Sequence, residues 1–268
     1  MSLAGLTLAR WRALDAASAE RCAREAAGRA GGRLLRLDPA PHPEGAVHRA
    51  VIERDGERYA LVPGGDVTVG FDVDGWRPLP GQLTSYREES LAGGFGFETD
   101  PRAHLARVMT PRRKVTLPAV LMAVEPSKLP ELPSLVPALF AGQGLRLPRP
   151  DEWEHACGAG AETLFRWGDG YPADVSPYGG GTDPHLLPNA FGLHIAFDVY
   201  DSAEMTSDPG SVYGGDGGEA VCGGYGTLLK WLPLATANRN PHTADFLHGP
   251  EGEDMFEDFS ARPVIDLD

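Results

Sequence analysis

Apolar and polar positions alternate in several short stretches of this chain, and the pattern predicts strands in its first half. The expected strands are residues 33–37, 47–53, 58–62 and 113–124. The dipeptide Asp55-Gly56 separates the second strand from the third and is typical of the turn in a β-hairpin. A further hairpin is expected after Val62, where a Pro-Gly-Gly turn precedes the alternating segment that ends at Gly70.

Three segments have the features of helices, and a fourth segment lacks any clear periodicity. Residues 6–30 are rich in alanine and arginine and end at a glycine pair, so they are expected to form one helix. Residues 151–161 follow a proline and carry acidic side chains in their first turn, which favour the positive end of a helix dipole. A short helix is expected around residues 134–141. Residues 76–113 are interpreted as a long ordered loop or a lid.

The composition is that of a globular chain able to bury a core, with 42% hydrophobic and 23% charged residues. The 34 glycines and 24 prolines are more than a helical bundle would carry, so we expect a loop-rich fold with little regular structure. No internal repeat or low-complexity linker divides the chain. The simplest organisation is therefore an N-terminal helical appendage at residues 1–45, followed by one domain at residues 46–268.

The net charge of −14 argues against a nucleic-acid partner, which would require a basic surface to displace counterions. The same charge argues against docking on an anionic membrane. The N-terminal part differs from the rest, because it holds seven arginines against three acidic residues up to Leu37. We favour a basic helix that lies on an acidic body, and the alternative is an arm that binds a partner.

The cysteine pattern indicates the redox compartment. Cys22, Cys157 and Cys222 are odd in number, scattered and without a CxxC pair, so they are expected to be reduced thiols rather than a disulfide framework. No apolar run reaches the length of about eighteen residues that a membrane span requires. The N-terminal residues also lack the apolar region of a secretory signal. A cytoplasmic protein is therefore expected.

Several fragments occur in the order in which they stand in one known family. They are Tyr59–Gly70 (YALVPGGDVTVG), Leu145–Ala156 (LRLPRPDEWEHA), Phe165–Asp169 (FRWGD), Pro188–Leu193 (PNAFGL), Asp201–Asp208 (DSAEMTSD), Ala220–Tyr225 (AVCGGY), Ala237–Pro241 (ANRNP) and Ser260–Val264 (SARPV). This series resembles the formylglycine-generating enzyme (sulfatase-modifying factor) family. The resemblance implies a loop-rich α+β fold of the C-type-lectin-like kind, with short antiparallel strands, to which an N-terminal helix is added.

The residues that would carry the family's reaction are changed. In the copper-dependent members, two cysteines follow a Gly-Gly-Ser segment by a few residues and hold the metal, whereas here Gly226–Pro233 contains no sulfur. A leucine cannot replace a thiolate as a ligand for Cu(I). Tyr225 stands where the family has the serine, and Met205 where it has a tryptophan. Cys222 precedes the glycine pair, does not match the motif, and is interpreted as a small buried residue.

Two groups of candidate metal ligands remain. The family holds a structural calcium ion in one loop, and Asp201 and Glu204 match two positions of that loop, so the resemblance implies a calcium site here. A hydrogen-bonded acidic loop without metal is the alternative. His242, Asp245 and His248 could form the facial triad of a non-haem Fe(II) enzyme if they lie in a loop. Solvated loop histidines are the alternative there.

Three hypotheses of function follow, and one of them is a true formylglycine generator with an unusual site. The favoured one is a divergent member of the family, repurposed to bind a protein or a small-molecule ligand. The alternative is a non-haem metal-dependent oxidase or oxygenase, with His242, Asp245, His248, Arg239 and Tyr225 as candidate catalytic residues. The glycine-rich run at 214–218 lacks the Lys-Ser/Thr of a phosphate loop and is interpreted as a flexible turn.

Overall fold

The computed structural model describes residues 3–172, 174–253 and 256–267 of the 268-residue chain. The helices are α1 (Leu8–Ala13), α2 (Ala16–Arg29), α3 (Pro80–Ser85), α4 (Pro101–Val108), α5 (Val136–Gly142), α6 (Pro150–Gly158), α7 (Glu219–Cys222), α8 (Thr227–Trp231) and α9 (Pro241–His248). A π-helical turn spans Tyr86–Leu91, and 3-10 turns span Leu3–Gly5, Pro184–Leu186, Leu232–Leu234, Pro250–Glu253 and Phe256–Asp258. Of the helices in the described part of the chain, none combines the length and the apolar composition that crossing a bilayer requires.

The strands form three separate sheets. They are β1 (Arg33–His42), β2 (Gly45–Arg54), β3 (Glu57–Val62), β4 (Gly65–Val69), β5 (Arg113–Leu117), β6 (Val120–Ala123), β7 (Ser127–Lys128), β8 (Glu204–Met205), β9 (Val212–Tyr213), β10 (Ser260–Ala261) and β11 (Val264–Asp266). The largest sheet has the order β1-β2-β3-β6-β11, with each neighbouring pair antiparallel. A smaller sheet has the order β7-β10-β8-β9, with β10 and β8 parallel, and β4 pairs with β5. The fold is therefore of the mixed α+β class.

The first three predicted strands are confirmed, and all three are longer than their patterns indicate. β2 and β3 are joined through Asp55 and Gly56, with φ angles of 54° and 88°. Positive φ at both positions is the geometry of the two-residue hairpin turn that matches the twist of the flanking strands. The Asp-Gly signal therefore fixes the register of this hairpin locally.

The second predicted hairpin is wrong, because β4 pairs with the distant β5 rather than with β3. The glycines serve a close backbone approach instead of a turn: a Cβ at Gly64 would lie 2.2 Å from the carbonyl oxygen of Leu117. The single strand expected at 113–124 is also wrong. It is divided into β5 and β6, in different sheets, near Pro118, which has no backbone N–H to donate to a ladder.

The helices differ from the predictions in three places. The single helix expected at 6–30 is divided into α1 and α2, because the Asp15 side chain accepts a hydrogen bond from the Ser18 N–H at 2.7 Å and caps a new helix. The segment 76–113 is not a plain loop, since it contains α3, the π-helical turn and α4. The two short helices of the central region are confirmed as α5 and α6, with shifted boundaries.

The N-terminal segment shares the main hydrophobic core. Trp11 is fully buried, and its indole Nε1 donates to the carbonyl oxygen of His48 at 2.7 Å. Leu3, Leu6 and Cys22 belong to the same core cluster. β1 pairs with β2 from Arg33 to His42. The sequence boundary at residue 45 thus falls inside a pair of hydrogen-bonded strands.

A buried ion pair connects several elements of the fold. Glu204 and Arg262 are both 0% exposed, and the Arg262 guanidinium donates to the Glu204 carboxylate at 2.6 and 2.9 Å. The indole of Trp153 on α6 donates to the same carboxylate at 2.9 Å. Arg262 also donates to the carbonyl oxygens of Ala123 and Val124, both at 2.7 Å. The network therefore connects α6, β6 and β8, with every charged group hydrogen-bonded.

Candidate functional site

A cleft of about 260 Å³ lies between α4, α7, α8 and the segment at 238–242. We call it the Asp216 cleft. Its lining residues are Phe97, His104, Arg107, Val108, Asp216, Glu219, Ala220, Tyr225, Leu229, Leu232, Pro233, Asn238, Arg239, Asn240, Pro241 and His242. An adjoining hollow of about 240 Å³ shares Asp216, Glu219 and His242 with it. Of the candidate residues expected from the sequence, Tyr225, Arg239 and His242 line this cleft, and Asp245 and His248 do not.

Asp216 is a buried carboxyl group that shapes one wall of the cleft. Its two oxygens accept hydrogen bonds from the backbone N–H groups of Gly218 and Ala220, both at 2.9 Å, at the start of α7. Burial raises the pKa of Asp216 to about 6, against the lowering effect of these hydrogen bonds, and the nearby charge of Glu219 adds to the increase. The cleft therefore contains a carboxyl group that changes charge near neutral pH.

The pH dependence of stability follows from this shift. The pKa of Asp216 is raised from 3.8 to about 6 in the folded state, so the folded protein holds the proton longer than the unfolded chain does as pH rises. Stability is therefore expected to fall as pH rises through this interval and to level off above it. Asp216→Asn should lack this component. Thermal unfolding of both proteins across the interval measures the difference, and parallel curves would show that the group does not titrate there.

Glu219 lies between a phenol and an imidazole. The Tyr225 hydroxyl donates to Glu219 Oε1 at 3.4 Å, and His242 Nδ1 lies 3.7 Å from Glu219 Oε2. Both distances are long for hydrogen bonds, so these two groups interact only weakly with the Glu219 carboxylate. Burial, followed by the negative charge of Glu219, raises the pKa of Tyr225 and keeps the phenol neutral. Gly223 permits the ring to fold back, since a Cβ there would lie 2.4 Å from Tyr225 Cε1.

The aromatic part of the cleft adjoins a second carboxylate, that of Glu98. The rings of Phe97 and Tyr225 have centroids 5.2 Å apart, and Phe97 also contacts His104 edge to face. His104 Nδ1 lies 3.0 Å from a Glu98 oxygen, and Arg107 donates to the other oxygen at 2.7 Å. Burial alone would raise the pKa of Glu98, but hydrogen bonds from its own backbone, His104 and Arg107 outweigh it and lower the pKa to about 2. The Arg107 guanidinium is thus paired with the Glu98 carboxylate.

Arg239 differs from Arg107 in its surroundings. Its backbone N–H donates to the carbonyl oxygen of Val108 at 2.9 Å, which holds the segment against α4. Its side chain is exposed and lines the cleft, and within the residues that the structure covers its guanidinium has no ion-pair partner. The cleft therefore offers an unpaired cation at Arg239 and a weakly engaged anion at Glu219.

The expected calcium ligands do not form a site. Glu204 is fully buried, and both of its carboxylate oxygens accept hydrogen bonds from Arg262 or Trp153. Asp201 is exposed and lies 3.2 Å from the Lys128 ammonium group. Glu204 lies in β8, and its carboxylate belongs to the buried ion pair and is not free to bind a cation.

The expected His/Asp/His triad is also not supported by the geometry. The loop that it required is the helix α9, which begins with Pro241 and is capped by the Asn240 side chain, an acceptor for the Thr243 N–H at 2.9 Å. On a helix, His242 and His248 lie about 120° apart around the axis, so they cannot share one ion. Throughout the described ranges, no group of three or more His, Cys, Asp or Glu side chains has an arrangement that could hold a metal.

Asp216 and Glu219 are the site residues that sequence reasoning missed. The glycine-rich run around Asp216 was interpreted as a flexible turn, yet the carboxylate caps α7. The Asp-x-x-Glu spacing is the sequence signature of a helix start and was the available signal. No model of a known protein family matches the chain, and a search of curated proteins finds no match either. The functional assignment accordingly rests on the chain's own residues.

Proposed function

We propose that this protein is a divergent relative of the formylglycine-generating enzymes that binds a small polar molecule in the Asp216 cleft. The observation that carries the proposal is the convergence of Tyr225, Arg239 and His242 on one cleft with Phe97 and His104, which lie more than 100 positions earlier in the sequence. Clefts of this kind, with an apolar floor and a few convergent polar groups, are the usual form of small-molecule sites. Leu229, Leu232 and Pro233 supply the floor.

The charges of the cleft favour a ligand that carries both signs. The unpaired Arg239 guanidinium suits a carboxylate, since its planar N–H groups match the two oxygens. Glu219, with only long contacts to Tyr225 and His242, suits an ammonium group. The rings of Phe97 and Tyr225 line the same cleft and supply apolar surface. A free amino acid has this combination of groups.

The proposed relation to the family is supported by contacts between three of the matching fragments. Trp153 comes from the fragment at 145–156, Glu204 from that at 201–208 and Arg262 from that at 260–264. These are the three side chains of the buried network. Fragments that keep the family's order would be expected to keep its packing as well.

The family's copper chemistry is not part of the proposed function. The run from Gly226 to Pro233, where the family has its cysteine pair, forms α8 and the turn that follows it, with Leu228 and Leu229 buried. No thiolate is present there, and the Fe(II) alternative loses its ligand set because α9 separates His242 from His248. Ligand binding therefore has the stronger support.

The proposal is tested by thermal unfolding with each proteinogenic L-amino acid in turn. We expect at least one of them to raise the unfolding temperature, because a ligand that binds only the folded state stabilises it by mass action. Glu219→Gln and Arg239→Gln should each weaken that ligand about tenfold or more, since each removes a charged hydrogen-bonding group. Glu131→Gln and Arg33→Gln are the matched surface controls and should leave binding unchanged.

Two results would contradict the proposal. One is the absence of any amino acid whose stabilisation depends on Glu219 and Arg239. The other comes from a peptide containing Cys-x-Pro-x-Arg, incubated with the protein and copper and analysed by mass spectrometry. We expect its mass to stay unchanged, and loss of the thiol sulfur would show that the protein is a formylglycine generator.

A further inference from the structure

A second pocket, of about 350 Å³, shares no lining residue with the Asp216 cleft. Its lining residues are Pro41, His42, Pro43, Arg49, Gly158, Ala159, Ala161, Arg166, Trp167, Pro184, Leu187, Pro188, Asn189 and Ala190. We call it the Arg49–Arg166 pocket. Among the described residues that line it, two are arginines and none is acidic. This is an unusual surface for a chain with a net charge of −14.

Arg166 is a half-buried cation that has no carboxylate partner among the described residues. Its Nε donates to the carbonyl oxygen of Ile195 at 3.0 Å, and one terminal nitrogen donates to that of His185 at 2.6 Å. Its guanidinium also lies 5.5 Å from the centre of the Trp167 ring. Burial lowers the pKa of Arg166 to about 10, so the group still carries its charge at neutral pH. An uncompensated buried charge is costly unless a counter-charge approaches it.

Arg49 on β2 is the second cation of the pocket. Its side chain is 18% exposed, and its Nε–H is buried with no hydrogen-bond partner among the described residues. The Asp38 carboxylate is 3.9 Å from a terminal nitrogen, too far for a hydrogen bond. The aliphatic part of the side chain packs on Gly192, where a Cβ would lie 2.8 Å from Arg49 Cγ. The guanidinium is therefore held in place by packing, but its Nε–H has no hydrogen-bond partner among the described residues.

His42 adds a third donor at the same pocket. The ring is 8% exposed, and its Nδ1 accepts the backbone N–H of Glu44 at 3.2 Å. Burial, followed by the positive charge of Arg12, lowers the pKa of His42, so the ring is neutral and carries its proton on Nε2. That Nε2 is buried and has no partner within the described part of the chain.

We propose that the Arg49–Arg166 pocket binds a small organic anion, whose carboxylate or phosphate group is recognised by Arg49, Arg166 and His42. Arginine is the side chain best suited to planar oxyanions, because its N–H groups match two oxygens at once. The body of the ligand lies against Trp167 and Leu187, which line the same pocket. The site is independent of the amino-acid site proposed for the Asp216 cleft.

Calorimetric titration with four probes tests the charge and the body of the ligand separately. Benzoate and phenyl phosphate carry the anionic group on an apolar ring, inorganic phosphate lacks the ring, and benzylamine has the ring with the opposite charge. We expect benzoate or phenyl phosphate to bind at least about tenfold more tightly than the other two, which corresponds to one charge-assisted hydrogen bond. The tighter of the two ring-bearing anions identifies the acid group.

Arg49→Gln should weaken the preferred anion about tenfold or more, because it removes the charge but keeps a polar side chain on β2. Leu187 is 50% exposed at the rim, so Leu187→Asp and Leu187→Lys should fold normally and change the affinity in opposite directions. Arg24→Gln, at an exposed position of α2 outside both pockets, should leave anion binding unchanged.

Three outcomes would overturn the proposal. They are benzylamine binding as tightly as benzoate, no binding of either ring-bearing anion at about 10 mM, and equal affinities for the Leu187→Asp and Leu187→Lys proteins. A crystal structure at high benzoate concentration with only ordered water at Arg49 Nε and His42 Nε2 would have the same meaning. Because the probes and variants differ from those for the Asp216 cleft, either site can fail without the other.

Discussion

Arg262→Met is expected to lower the free energy of unfolding by about 3–5 kcal/mol, since removing one partner leaves the other as an uncompensated buried charge. Glu204 would keep only the hydrogen bond from Trp153, in a site that is 0% exposed. The carbonyl oxygens of Ala123 and Val124 would lose the hydrogen bond from Arg262, although that of Val124 would keep the one from the His194 N–H. Urea denaturation followed by circular dichroism measures the change as a shift in midpoint at constant slope.

The control is an ion pair on the surface. Arg33 and Glu53 are 2.7 Å apart with side chains 69% and 29% exposed, so Arg33→Met should cost less than about 1 kcal/mol. The double variant Glu204→Leu with Arg262→Met should recover part of the stability, because an apolar pair leaves no buried charge. A loss below about 1 kcal/mol for Arg262→Met alone would mean that the buried network does not stabilise the fold.

Trp11→Ala is expected to destabilise the whole protein by about 3–5 kcal/mol, as large-to-small changes in a packed core do. The indole is 0% exposed, packs in the main core with Leu3 and Leu6, and donates to the carbonyl oxygen of His48. Urea denaturation should show a single transition with a shifted midpoint and no separate step for the N-terminal residues. Residues 1–45 would then behave as part of the domain.

Leu135→Ala is the control for this substitution, because Leu135 is 49% exposed and its truncation should change stability by less than about 0.5 kcal/mol. If Trp11→Ala leaves the main transition in place and only removes a separate early step, the N-terminal residues are an appendage instead. That outcome would favour the organisation first expected from the sequence.

The parts of the fold that could be predicted from the sequence are those that local interactions determine. β2 and β3 follow from alternation around Asp55-Gly56, where turn and strands are neighbours in the chain. The pairing of β4 with β5 has no local signal, and the Pro-Gly-Gly segment was therefore given the wrong partner. The alanine-rich segment has the helix propensity to form one continuous helix. The Asp15 side chain nevertheless caps a new helix and so divides the segment.

Only a part of the candidate site could be predicted from the sequence. Tyr225 and Arg239 were found because they lie in fragments whose order resembles a family, whereas the triad based on His242 failed once its segment proved to be a helix. The Arg49–Arg166 pocket left no trace in the sequence. Its two cations come from distant segments, and only the tertiary structure shows that neither meets a carboxylate of the described residues within hydrogen-bonding distance.

The position of β6 between β3 and β11 in the large sheet leads us to expect a particular order of events during folding. β6 lies between β3 and β11, and Arg262, just before β11, binds the carbonyl oxygen of Ala123 across 139 positions of chain. Closing a loop of this size carries a large entropic cost, and such long-range contacts slow folding. Most residues of the Asp216 cleft lie inside that loop, as does Arg166. The β1–β3 meander can form early from local contacts, so we expect the two proposed binding sites to be completed late, when β11 docks.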